Sequence, residues 1–387
     1  MKEVSVYIHI PFCVQKCFYC DFLSGPADEK LKQDYIKALL CQIEKTDWKD
    51  RIIKSIFIGG GTPSVLPSFS MEEILCKLHE AALFRSDCEI SIEVNPGTVD
   101  REKLRRYRQC GINRLSIGLQ SADDKELKTL GRIHTYDDFL RTFRAAREEG
   151  FKNLNIDLIS SVPGQTAESF CRTLQKAVSL SPEHLSVYSL ILEEGTEFYR
   201  RRNELVFPDE DTVLRIDDYT RNYLRENNYM RYEISNYAKP GMECRHNSVY
   251  WQRGTYLGFG AGAASLIEEG EEHRRYTVLK DVNEYVSRML SGGCNVESVI
   301  RERQTLSEKE RMEEFMYLGL RMIKGVSFQH FYEVFHVPMM EVYGDVITEL
   351  CAGKWMETGN FEGEECCYLT EKGLNVSNVL LAEFLFP

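Results

Sequence analysis

From residue 4 to about 226, short runs of alternating apolar and polar positions are separated by charged stretches whose apolar residues recur at helical spacing. The alternating runs 4–10, 53–58, 89–94, 114–119, 153–159 and 184–190 predict strands. The stretches near 28–45, 70–83, 100–109, 123–149, 166–180 and 209–226 predict helices. Six strand–helix units in series mean an α/β fold with a parallel sheet and helices outside, either open or curled into an incomplete barrel.

The strands are not the continuous apolar runs of a sheet buried on both faces. Val4, Val6, Ile8 and Ile10 share one face, with Ser5, Tyr7 and His9 on the other. Ile90, Ile92 and Val94 oppose Ser91, Glu93 and Asn95. Leu115, Ile117 and Leu119 oppose Ser116, Gly118 and Gln120, and Leu154, Ile156 and Leu158 oppose Asn153, Asn155 and Asp157. Polar faces of this kind either line a wet or ligand-filled lumen or form satisfied layers in a packed barrel. Repetition on four strands favours the lumen.

Ligands in parallel α/β folds bind at the carboxyl ends of the strands. The first predicted strand runs into Cys13, Cys17 and Cys20, spaced C-x3-C-x2-C. Thiolates select zinc or iron–sulfur clusters. A closed zinc site needs a fourth ligand, and His9 reaches this loop only by folding back from the strand. Three thiolates instead suit a [4Fe–4S] cube with one iron left open. The second strand ends in Gly59-Gly60-Gly61-Thr62-Pro63, where missing side chains would admit a ligand to the backbone. It lacks the Gly-Lys-Ser/Thr ending of a nucleotide-phosphate loop. Glu93, Gln120 and Asp157 stand at the ends of the next three strands.

Composition narrows the picture. The chain of 387 residues carries a net charge of −12, which excludes a general nucleic-acid binder. The runs Arg200-Arg201-Arg202 and Arg274-Arg275 sit beside acids and read as solvated faces. No signal-peptide pattern or transmembrane run is present. Of the thirteen cysteines, the ten outside the motif are scattered and read as reduced thiols, as in a cytoplasm. After residue 226 the rhythm changes. His246-Asn247-Ser-Val-Tyr250-Trp251 is either a loop packed by its own rings or a ligand motif. From about 300 onward the pattern is helical, then a short hairpin and a final helix, which reads as a winged-helix-like accessory domain. The expected division is 1–230, 231–298 and 299–387.

The cysteine motif with Tyr19, followed by Gly-Gly-Gly-Thr-Pro, resembles the radical S-adenosylmethionine (radical SAM) superfamily. Tyr7-Ile-His-Ile-Pro-Phe-Cys13, Ile-Glu93-Val-Asn-Pro, Ser-Ile-Gly-Leu-Gln120-Ser and Asp157-Leu-Ile-Ser-Ser-Val-Pro-Gly-Gln-Thr resemble its coproporphyrinogen oxidase-like branch, over essentially the whole chain. The resemblance implies a partial (β/α)6 barrel with a smaller, mainly helical C-terminal domain. It implies a [4Fe–4S] cluster on Cys13, Cys17 and Cys20, with SAM on the open iron, cleaved to a 5'-deoxyadenosyl radical. Tyr7, Gly60 and Glu93 would contact a first SAM. Tyr19, Gly61, Thr62, Gln120, Arg132 and Asp157 match contacts to a second.

Within the branch, the residues resemble the HemW-type heme chaperones more than the oxygen-independent coproporphyrinogen III oxidases. The oxidases carry a further cysteine after the motif, where this chain has Asp21-Phe22, and an N-terminal extension before the first strand. His246-Asn247-x-x-Tyr250-Trp251 matches the chaperones' H-N-x-x-Y-W motif. The resemblance then implies heme as a ligand with His246 as its axial contact, and no residue in an assigned catalytic role. It implies acceptor hemoproteins as partners, including respiratory enzymes at the membrane. The chain itself would be cytoplasmic, reaching the membrane only through such a partner.

Overall fold

The computed structural model describes residues 1–270, 272–291, 293–361 and 363–386. Strand β1 (Lys2–Ile10) leads through the cysteine loop to α1 (Glu29–Lys45), followed by β2 (Arg51–Gly60), α2 (Ser68–Ala81) and β3 (Leu83–Val94). Next come α3 (Arg101–Gln109), β4 (Arg114–Gln120), α4 (Asp124–Thr129), α5 (Tyr136–Glu148), β5 (Leu154–Ser160), α6 (Ala167–Ser179) and β6 (His184–Ser189). All six predicted strands form, and β1 to β6 pair in parallel in sequence order. Their phase is as predicted. Val6, Ile8, Ile92, Ile117 and Ile156 are fully buried, on the face turned from the polar residues of the lumen.

One predicted helix is two. The stretch 123–149 breaks between α4 and α5 at Leu130-Gly131-Arg132, where Gly131 adopts φ +75°. The Thr135 hydroxyl and Asp138 carboxylate then restart the helix as a capping box. The break carries Arg132 towards the cysteine loop, which a continuous helix would not do.

Beyond β6 the chain forms α7 (Glu197–Arg200), α8 (Glu210–Glu226), β7 (Met230–Arg231), β8 (Asn236–Ala238) and α9 (Arg245–Trp251). Strands β9 (Tyr256–Phe259), β10 (Ala264–Glu269), β11 (Glu272–Val278), helix α10 (Val282–Ser291) and β12 (Ile300–Thr305) follow. These strands extend the same sheet, in the order β12-β11-β10-β9-β1-β2-β3-β4-β5-β6-β8-β7. Strand β9 lies parallel to β1, and no ladder among the described residues joins the two ends, so the barrel is open. Residues 300–305 are thus an edge strand and not the start of the helical region. Their run of charged and polar residues from Arg301 to Thr305 suits an exposed edge.

The C-terminal portion has its own core around Phe331, Phe335, Tyr343 and Met356. It comprises α11 (Glu308–Gly319), β13 (Val326–Ser327), α12 (Phe328–Phe335), α13 (Met339–Ala352), the hairpin β14 (Met356–Phe361) and β15 (Glu364–Leu369), α14 (Glu371–Asn375) and α15 (Ser377–Ala382). It is joined to the barrel by a buried ion network. Arg253 Nε donates to Glu314 Oε2 on α11 at 3.0 Å, its Nη1 to Glu268 on β10 at 2.6 Å, and Arg275 on β11 pairs with Glu314 at 2.7 Å.

Two of the cysteines read as reduced thiols, Cys41 and Cys294, are paired as a disulfide with Cα atoms 5.7 Å apart. Packing of α1 against α10 brings them together across 253 residues of sequence, a proximity no spacing rule reveals.

Candidate functional site

The three cysteines lie on the loop between β1 and α1, and the chain fastens that loop to the ends of β1 and β2. Cys13 N–H donates to Gly25 O at 3.0 Å, Gly61 N–H to Ile10 O at 2.9 Å and Thr62 N–H to Phe12 O at 2.7 Å. This contact defines the glycine run. A Cβ on Gly61 would stand 2.7 Å from Phe12 O, and one on Gly60, at φ +111°, 2.4 Å from the His9 ring. The glycines therefore let two loops of this chain cross closely, in addition to exposing backbone to a ligand.

Each fixed thiol has a polar neighbour. Thr62 Oγ1 donates to Cys13 Sγ at 3.4 Å, and Arg132 Nη1 to Cys17 Sγ at 3.6 Å. Arg132 is itself held by Asn95 Oδ1 at 2.7 Å and Gly118 O at 3.1 Å, and Asn95 Nδ2 donates to Thr62 Oγ1 at 2.7 Å. Burial is the main cause raising the Cys20 thiol above its ordinary value. Among the described residues no three His, Cys, Asp or Glu side chains converge on one point suited to a single metal ion. Three thiols on one loop suit a polynuclear cluster, in which each binds a different iron, whereas a closed tetrahedral zinc site needs a fourth protein ligand.

The cysteines face a cavity of about 390 Å³. Tyr19, Gly61, Thr62, Gln120, Arg132 and Asp157 line it, which brings together the whole set matched to a second SAM. Gln120 reaches the wall from a left-handed backbone, φ +68°, at the end of β4, a strained conformation for a residue with a side chain. Asp157 is half-buried, and its loss of solvent raises its carboxyl. Ser116 Oγ and Asn155 Nδ2 oppose that rise by donating to it at 2.9 and 2.7 Å.

A second cavity of about 680 Å³ adjoins the first, and Gly60 and Glu93 belong to the walls of both. Tyr7 faces only the larger one. Glu93 accepts the Gly60 N–H at 2.9 Å, yet burial, reinforced by Asp157, pushes its carboxyl up to about 8. The set matched to a first SAM, Tyr7, Gly60 and Glu93, thus shares the larger cavity. The donors fit a sulfonium amino acid: Glu93 and Asp157 can meet an ammonium or sulfonium, and Arg132 a carboxylate.

His246 lies elsewhere. It is 1% exposed and outside both cavity walls, with Nδ1 bonded to Ser55 Oγ at 3.0 Å and Nε2 to Tyr250 Oη at 2.9 Å. Burial, then Arg114, pushes its imidazole down to about 3. The Glu89 carboxylate fixes the start of α9 by accepting the N–H groups of Arg245 and His246, each at 3.1 Å. Tyr250, one turn on, is the motif residue that reaches the larger cavity.

Sequence reasoning also missed Lys16, Tyr256 and Lys280 on the larger cavity and Tyr188 on the smaller. Only Tyr188 had a signal, since its polar hydroxyl falls late in a predicted strand. Tyr256 comes from β9 and Lys280 from the bend after β11, both beyond the parallel series.

Fold and site together define a radical SAM protein, and residues 7–177 match the Radical SAM superfamily, with residues 306–374 matching the HemN C-terminal domain. The chain is 34% identical to the heme chaperone HemW of Lactococcus lactis, over 99% of this chain and 98% of that one. It is 35% identical to the heme chaperone HemW of Bacillus subtilis, over 98% and 99%. Its fold is similar to that of the Escherichia coli coproporphyrinogen III oxidase HemN, with a TM-score of 0.84, 23% identity, and coverage of 99% of this chain and 90% of that one. The chain belongs to the HemW heme chaperone family. No helix among the described residues is long and apolar enough to cross a membrane.

Proposed function

We propose that this protein binds heme and hands it to acceptor hemoproteins, carrying a [4Fe–4S] cluster on Cys13, Cys17 and Cys20 with SAM beside it. The observation that carries the reading is near-complete alignment, at 34–35% identity, with chains named as heme chaperones. The large cavity beside the cluster loop, with Tyr250 of the motif in its wall, supports it. When bound, the cluster supplies one-electron reduction of the SAM sulfonium. The chain's own residues do the rest. Thr62 and Arg132 hold Cys13 and Cys17, Tyr7, Gly60 and Glu93 would meet the first SAM from the larger cavity, and Asp157 would present its carboxyl group from the smaller one.

The second reading is a coproporphyrinogen III oxidase, which the fold similarity to HemN favours. The loop sequence weighs against it, because Asp21-Phe22 follows Cys20 where the oxidases carry another cysteine. The test is anaerobic and runs two assays on the reconstituted full chain. One follows decarboxylation of coproporphyrinogen III with SAM and reductant, and the other follows heme transfer to an apo-hemoprotein. Transfer without decarboxylation is expected. Decarboxylation without transfer would replace the chaperone by the oxidase.

A further inference from the structure

We infer that a cavity of about 470 Å³ beside Cys294 binds a small anionic thiol, which opens the Cys41–Cys294 disulfide by exchange through a mixed disulfide on Cys294. No described residue is common to its wall and the walls of the two cavities at the cysteine loop. The site therefore stands independently of the heme-chaperone reading. Its volume falls within the roughly 300–1,000 Å³ of small-molecule sites.

Four elements each bring a cation to this cavity: Lys45 at the end of α1, Arg51 at the start of β2, Arg274 on β11 and Arg303 on β12. Asp47 and Glu297 are the carboxylates on the same wall. Glu297 pairs with Arg303 at 2.8 Å, and Glu272 lies 3.5 Å from Arg274. The lining thus carries an excess of positive charge on a chain whose net charge is −12. A cleft lined by one sign of charge concentrates ions of the other. The Arg274-Arg275 run, which the sequence reads as a solvated face, divides between two environments. Arg275 pairs with Glu314, and Arg274 joins this cavity from the opposite face of β11. Cations alone would suit any anion. Cys294 specifies a thiol.

Cys294 is on the cavity wall, and its partner Cys41 on α1 is not. Both are half-buried. An entering thiolate therefore meets Cys294 first, with Cys41 as the leaving group. The thiolate attacks Cys294 Sγ, the Cys41–Cys294 bond breaks, and its electron pair leaves on Cys41 Sγ, which takes a proton from water. A second thiolate attacks the sulfur of the first, Cys294 leaves as thiolate and is protonated, and the oxidised small disulfide departs. One protein disulfide is reduced and two small thiols become one disulfide. The cations hold the carboxylates of the small thiol and favour its thiolate over its thiol. The helices stay together when the bond opens. Gln42 Oε1 on α1 accepts the Tyr285 hydroxyl of α10 at 2.7 Å and the Gly260 N–H at 2.9 Å, and the Tyr35 and Tyr285 rings pack at 5.3 Å. With Cα atoms 5.7 Å apart, within disulfide range, the oxidised small disulfide can close the pair again by the reverse steps.

The test treats the full chain, without oxygen, with glutathione or with its diethyl ester, the same thiol stripped of its carboxylates, at matched thiolate concentration. Alkylation of the freed thiols and peptide mass mapping follow the opening of the disulfide. Glutathione is expected to open wild type roughly tenfold faster than the ester, an advantage that high salt removes. Arg303→Glu and Lys45→Glu, both at half-exposed side chains, should each lose most of that advantage while keeping the wild-type circular dichroism. In Cys41→Ser, oxidised glutathione should load Cys294 as a stable mixed disulfide, and in Cys294→Ser it should leave Cys41 free over the same time. Equal rates for glutathione and its ester in wild type would overturn the anion site, as would full preference in both charge reversals. Faster loading of Cys41 than of Cys294 would overturn the direction of attack. Free thiols at both positions in folded wild type equilibrated with oxidised glutathione would overturn the pair itself.

Discussion

The Glu93 carboxylate on β3 accepts the N–H of Gly60 on β2 at 2.9 Å, across the wall shared by the two cavities. That single bond does not offset burial, and Glu93 holds its proton up to about pH 8. Its folded value is raised, so the native chain binds a proton that the unfolded chain releases near the ordinary 4.5. Stability from this group is complete below about pH 4.5, falls as pH rises, and is lost by about pH 8. Glu93→Gln should flatten that decline, leaving the cluster-free variant more stable than wild type at pH 8.5 by on the order of 3 kcal/mol. Urea unfolding at pH 5 and 8.5 measures it. Equal pH slopes would show that Glu93 ionises freely.

Arg132 reaches Cys17 because the helix breaks at Gly131. Arg132→Met removes a cationic donor from the thiol and frees Asn95 and Gly118 O, a loss of about 1.5–3 kcal/mol per charged hydrogen bond. The variant should fold, since Arg132 is not part of the hydrophobic core. Its reconstituted cluster should bleach several-fold faster in air, followed as loss of visible absorbance. Bleaching at the wild-type rate would mean the arginine does not guard the cluster.

Gly60→Ala puts a Cβ 2.4 Å from the His9 ring on a backbone at φ +111°. The strain and the displaced ring should cost about 2–4 kcal/mol. Because His9 and Gly61 tie the cysteine loop down, iron content per chain should fall along with the unfolding midpoint.

Glu314 on α11 pairs with both Arg253 and Arg275 and is 4% exposed. Removing it leaves Arg275 without its carboxylate and the almost wholly buried Arg253 with Glu268 alone. Glu314→Ala should therefore destabilise the chain by about 3–5 kcal/mol. Calorimetry should show the C-terminal portion melting separately from the barrel, because the network joins the two. A single transition at the wild-type temperature would deny the network that role.

The barrel was legible because its strands alternate. Burying one face against helices and wetting the other writes a period of two into the sequence, so Glu93, Gln120 and Asp157 could be placed on the lumen before any geometry. The break at Gly131 was not legible, since one glycine in a charged helical run reads as a tolerated flaw. Nor were Tyr256 and Lys280, which reach the cavity only because β9 pairs with β1 across some 250 residues. His246 was identified by its motif, but a motif does not say which of its side chains faces the ligand. In the structure Tyr250, and not the buried His246, is on the wall of the larger cavity.

The central claim is that heme is the cargo of this chain, and direct titration tests it. Ferric and ferrous heme are added anaerobically to the cluster-loaded full chain while the Soret band is followed. The account predicts saturation at one heme per chain, with a spectrum distinct from that of free heme and unchanged when SAM is omitted. No saturable change, together with turnover of coproporphyrinogen III by the same preparation, would contradict it.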